Sequence, residues 1–399
     1  MDEKRHPKIY SRAGIRQGGN LMSQNIELRY DLDLERFWKE DAIAHRQNCF
    51  DPEAKQVALG LRMSQECVFA ELGEEGNPWG HTPAERMLDL CRRYNDRAEI
   101  IVGRRLLGEN PPSPADANLP GIRGIGDVFG GYHTLSNGVY WLESDMKTPQ
   151  DLEKTLDQVE AMDLRDFILP KNWEEAKKRV FEKYGKKPAP FRGIRGPVTL
   201  AMSLYGVENT IYLIMDEPDL AARFRDAITN VIMGVWRIMN VEAGLDSETP
   251  SGFSFNDDNC CMLSAPLYEF FGYPILKKVF ETCAPSPEYQ RYQHSDSDMG
   301  HLLPLLGDFN MAGVNFGPTV TVREIRKYMP RTRIDGQLAP FTLMRNNEED
   351  ILAEVRRDCE AARECGRGLN LATAGSVNNG SLLTSMRAVM YAIQEYGQY

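Results

Sequence analysis

His294 and Asp296 stand one residue apart at the end of a strand-like segment, Tyr289–His294. Alternate side chains of an extended chain leave the same side, so this imidazole and carboxylate are placed to share one ligand. A divalent cation, a substrate group, or a plain hydrogen bond between the two would each satisfy them. Upstream, Asp257 and Asp258 follow the segment Gly252–Phe255. Adjacent carboxylates raise one another's pKa and can act as general base, substrate anchor or metal ligand, and they can equally cap a following helix. Cys260 and Cys261 come next, as ligands or, more simply, as small buried apolar side chains. His301 is a further acid–base candidate, or a partly exposed helical histidine.

Asn256, Tyr292, Asn315 and Gln337 lie at or beside the ends of other strand-like segments, where they could bind polar groups of a substrate or make ordinary structural hydrogen bonds. Arg62 could bind a carboxylate, and a surface arginine would look the same. Trp79, Phe129, Tyr132 and Trp141 could line an apolar pocket or pack in a core.

These residues need elements to position them. Short β-like segments alternate with helical stretches: Phe191–Ile194, Gly252–Phe255, Tyr289–His294, Gly313–Phe316, Arg333–Gly336 and Leu369–Ala372. Such alternation predicts a parallel sheet covered by helices. Polar or glycine-rich residues follow nearly every segment, and in a (β/α)8 barrel those positions gather at the C-terminal rim. Three amphipathic helices are predicted: one over Leu34–His45, one capped by Thr148 and Pro149, and one from Asp216-Glu217-Pro218 to Gly244. The expected fold is α/β, a TIM-type (β/α)8 barrel over residues 121–399 with a mainly helical N-terminal extension over 1–120, the first barrel strands being able to begin near residue 56.

The composition is that of an ordinary globular chain: 399 residues, 42% hydrophobic and 26% charged. A net charge of −11 disfavours nucleic acid and anionic membrane surfaces. The polar opening segment, residues 1–25, is followed by no apolar stretch that would make a secretory signal, and no apolar run is long enough for a membrane span. Eight scattered cysteines without a CxxC pair read as reduced thiols, and a cytoplasmic location follows.

The order and spacing of GIRGPVTLAMSLYG from Gly193, FNDDNCCMLSAPLYEFFGYP from Phe255, HSDSDMGHLLPLL from His294, GVNFGP from Gly313 and DGQLAP from Asp335 resemble the uroporphyrinogen decarboxylase superfamily. That superfamily includes porphyrinogen decarboxylases and zinc methyltransferases acting with methylcobamide. The decarboxylases carry an M-R-x-x-x-R clamp for an acidic tetrapyrrole; here Arg62 matches the first arginine and Glu66 stands in place of the second. Their late Gly-His-Gly is matched by Ala374-Gly375-Ser376, without a histidine. The methyltransferases hold zinc with His-x-Cys and a late cysteine. Here His294-Ser295-Asp296 occupies the first position and Gly375 the second, so the resemblance implies a zinc site of His294, Asp296 and a third ligand from Asp258, Cys260 or His301.

The resemblance thus implies a methyltransferase that moves a methyl group between a small methylated compound, by analogy a phenyl methyl ether, and a partner corrinoid protein carrying cobalamin. Two alternatives are a related lyase acting on another carboxylated substrate and a non-catalytic tetrapyrrole- or corrinoid-binding protein.

Overall fold

The structure is a computed structural model, and it describes residues 28–136 and 139–399. The polar segment 1–25 lies outside the described residues. Nine strands occur among the described residues: β1 Ala58–Leu59, β2 Tyr132–Ser136, β3 Val139–Glu143, β4 Gly193–Arg195, β5 Phe253–Asn256, β6 Arg291–Ser295, β7 Gly313–Phe316, β8 Arg333–Leu338 and β9 Leu369–Thr373.

The chain divides into two compact units. One comprises the described residues up to Asn110 together with Leu338–Tyr399. In it the two-residue β1 pairs in parallel with β9, Ala58 opposite Asn370. The helix Leu34–Ala44 starts where the Asp33 carboxylate caps the Arg36 N–H, and Asp41 on its buried side accepts the Leu59 N–H at 2.8 Å. A helix packed on β1 thereby also satisfies its backbone.

The other unit, Pro111–Gln337, carries the parallel ladder β4-β5-β6-β7-β8 in that order. Its helices form for local reasons visible in the chain. At Pro149–Glu160 the Thr148 hydroxyl accepts from the Asp151 N–H and the Asp151 carboxylate accepts from the Thr148 N–H, a reciprocal cap with proline in the first turn. The 25-residue helix Pro218–Glu242 buries Leu220, Phe224, Ile228, Val231 and Val235 along one stripe, and Gly244 at φ +81° ends it. β2 and β3 form an antiparallel hairpin that the sequence reading did not anticipate. Phe129 is buried with its ring 5.9 Å from that of Phe224, whereas Tyr132 and Trp141 on the hairpin are exposed, as is Trp79 in the other unit. The four aromatics therefore do not share a pocket lining. Among the described residues no single helix is long and apolar enough to cross a membrane.

Candidate metal and substrate site

The ladder fixes which side chains meet. Arg195, Asn256, His294 and Asn315 are opposed in register across β4, β5, β6 and β7. Opposed positions of parallel strands project to one face, so these four form a polar row. One step earlier along the strands, Tyr292 faces Gly313, and a Cβ on Gly313 would stand 3.1 Å from the Tyr292 ring, so glycine leaves room for the aromatic. The opposite face of β5–β7 carries Phe255, Gln293 and Val314, all buried against the helices.

His294 is oriented from both ring nitrogens. Asn315 donates its amide to the Asp335 carbonyl, which turns its Oδ1 toward His294, so Nδ1–H of the imidazole donates to it at 2.7 Å. Nε2 then faces the Asp296 carboxylate at 3.1 Å. Burial on its own depresses the imidazolium, but the hydrogen bond and charge of Asp296 and the bond to Asn315 outweigh it, and the pKa of His294 is raised. Asp335 is itself gripped by Arg333 through both oxygens, at 2.7 and 2.8 Å, which steadies the backbone that holds Asn315.

The loop after β5 closes on the same point. Asp257 N–H donates to the His294 carbonyl at 2.9 Å, and Asp258 Oδ1 accepts the Asp296 N–H at 3.0 Å. One ligand atom each from Asp258, His294 and Asp296 falls within 4.8 Å of the others. Two carboxylate oxygens and an imidazole nitrogen suit a divalent ion with positions left open for substrate, and the Nδ1–H bond to Asn315 presents the Nε2 lone pair to it. By this fit the three residues suit a metal ion.

The other candidates fall elsewhere. Asp257 turns away from Asp258: its fully buried carboxylate accepts from the N–H and the hydroxyl of Thr199, both at 2.8 Å. It therefore caps the helix Pro197–Tyr205, which precedes it in sequence, and no helix after it. Burial pushes its pKa up to about 6, against the pull of Thr199 and with the help of the Asp258 charge. The short turn Asp258–Met262 rotates Cys260 into the core, where burial holds its thiol well above the ordinary value. His301 bonds the Leu263 carbonyl through Nε2 at 2.8 Å. Neither Cys260 nor His301 joins the three converging ligands. Gln337 is buried, donating to the carbonyls of Gly317 (3.0 Å) and Val320 (2.5 Å), so its amide ties the loop after β7. Arg62 is exposed in the unit that contains β1 and β9. Arg195 and Thr199 were not singled out in the sequence; the one ends a strand and the other opens a helix, and only the register and the contact with Asp257 give them roles.

Residues 123–396, roughly two thirds of the chain, match the uroporphyrinogen decarboxylase (URO-D) family. The chain belongs to this family. Its fold is accordingly α/β of the TIM-barrel type, and among the described residues the parallel pairings are β1 with β9 in one unit and β4 through β8 in the other. A solved structure of a methyltransferase from Methanosarcina mazei shares the fold of this URO-D family chain, with a TM-score of 0.53 at 17% identity over 89% of this chain and 98% of that one. No curated protein sequence matches.

Proposed function

We propose that this URO-D family chain is a methyltransferase that moves a methyl group between a small methylated compound, such as a phenyl methyl ether, and a cobalamin-bearing corrinoid protein, in the cytoplasm. The observation that carries this reading is the convergence of Asp258, His294 and Asp296 on one point, with His294 oriented by Asn315. Family membership and the fold shared with a methyltransferase support it. A zinc ion held there would supply a Lewis acid for the heteroatom that gives up or accepts the methyl group.

In this reading Asp258 and Asp296 would neutralise the ion, and the hydrogen bond from the Asp296 N–H to Asp258 ties the two residues together. Asn315 keeps the imidazole from rotating, and Asn256 and Tyr292, on the same face, contact the substrate. Cobalamin stays on the partner protein, which must approach the rim at which these strand ends lie.

The test is a zinc titration of the full chain with its metal content, run beside methylation of free cob(I)alamin followed by absorbance. The expected outcome is about one zinc per chain in the wild type and loss of most of that affinity in His294→Ala, because a catalytic zinc has only about three protein ligands. Equally low zinc in both proteins, with methyl transfer intact in the wild type, would overturn the metal site.

A further inference from the structure

Next to His294 in the polar row stand two side chains with nothing of the protein to hold. Arg195, the last residue of β4, and Asn256, the last of β5, are opposed in register, and Asn256 is opposed to His294. Both are exposed, and among the described residues neither side chain has a hydrogen bond or ion pair. Adjacent strands lie about 4.8 Å apart, so the Arg195 backbone is roughly 10 Å from that of His294, a distance a small molecule spans. The arginines of neighbouring strands are already engaged. Arg333 is bound by both oxygens of Asp335, and Arg291 donates to the carbonyls of Ala284 and Phe309.

Charge balance points the same way. With a divalent ion in place the two carboxylates of Asp258 and Asp296 are neutralised, and Arg195 is left as a single uncompensated cation in the row. One monoanion completes the balance. A guanidinium offers two parallel N–H donors that match a carboxylate, and the Asn256 amide beside it offers a third.

We propose that Arg195 and Asn256 form a subsite for a carboxylate carried by the methyl donor, so that the substrates are small methylated carboxylic acids whose methyl-bearing atom lies toward His294. This rests on the methyltransferase reading above and sharpens it. The experiment is calorimetric titration of the full chain, with and without zinc, using 4-methoxybenzoate, methoxyacetate and (methylthio)acetate, each against its uncharged amide. At least one acid should bind the wild type about tenfold or more tightly than its amide, as a charge-assisted bidentate pair outranks a neutral one. Arg195→Ala should erase that preference, Arg195→Lys should recover part of it because a point charge lacks the fork, and Asn256→Ala should weaken it. Zinc stoichiometry should be the same in all four proteins. Absence of binding by every acid, equal binding of acids and amides, or a preference that survives Arg195→Ala each overturns the subsite. If zinc fails to bind the wild type while the acid preference is still lost in Arg195→Ala, the subsite stands and the metal reading falls.

Discussion

Thr199 brackets Asp258 without touching it. Its N–H and hydroxyl donate to Asp257, and its hydroxyl oxygen accepts the Asn259 N–H at 2.9 Å, so the residues on either side of Asp258 are pinned to the helix Pro197–Tyr205. The approach is close: a Cβ on Gly196 would stand 2.1 Å from the Asp257 side chain, so only glycine lets the helix N-terminus and the β5 loop meet. Replacing Thr199 with valine keeps the shape and deletes both hydroxyl bonds. Zinc affinity should fall about tenfold, the lower range for loss of a group that orients a metal ligand, with stability down by ~1–2 kcal/mol from the unmet buried carboxylate. Thr199→Ser should restore both. If the valine variant is destabilised in urea yet binds zinc as before, Thr199 serves the fold alone.

At the scale of elements, the helix Pro218–Glu242 ends in a carboxylate at the pole where a helix dipole disfavours negative charge. Glu242 is held there by Lys177 at 2.6 Å and by Arg165 and Trp173 at 2.7 Å each, with its side chain 3% exposed. Burial pushes its pKa up, but these three donors overcome it and bring the value down to about 2. A carboxylate whose folded pKa lies below its unfolded one stabilises the protein above the unfolded value and loses that contribution as pH falls. The window here runs from about 4.5 down to about 2. Glu242→Gln should therefore cost ~1.5–3 kcal/mol at neutral pH, the range for losing hydrogen bonds to a charged group, since Lys177 and Arg165 reach solvent and would be rehydrated. Urea unfolding at pH 7 and pH 3 checks this: the gap between wild type and variant should narrow at the lower pH. A gap that is constant with pH would mean the network stabilises through packing and not through charge.

The whole molecule shares its fold with a methyltransferase at 17% identity, so the strand and helix pattern persists where most residues differ. A fold kept at that distance does not by itself decide the substrate. For uroporphyrinogen the chain is poorly equipped. An acidic tetrapyrrole calls for several cations, yet the net charge is −11, and by the sequence resemblance Glu66 stands in place of the second arginine of the decarboxylases' clamp. Gly375, at φ +116° in the loop after β9, offers neither a side chain nor a backbone that a histidine readily adopts. Incubation with uroporphyrinogen should yield no coproporphyrinogen by fluorescence, and its appearance would reinstate decarboxylation.

Local information determined much of this protein. Thr148-Pro149 and Pro218 mark helix starts, apolar spacing marks the buried stripes, and the sequence locates β5 to β9 to within about three residues. Polar residues after each strand pointed to the candidate site, and the His-x-Asp spacing pointed to two of the residues that could hold an ion there. Tertiary structure alone singled out the third candidate. Asp258, Cys260 and His301 are equivalent in sequence, and the tight turn over Asp258–Met262 presents the first, buries the second and leaves the third on a carbonyl. The roles of Asn315, Gln337, Arg195 and Thr199 depend on register and on contacts across long stretches of chain. Periodicity reports which side of an element is apolar and says nothing of which neighbour lies opposite. For the same reason β1, two residues long and stabilised by a partner more than three hundred positions away, was legible only as a possible strand start near residue 56, with no pairing partner.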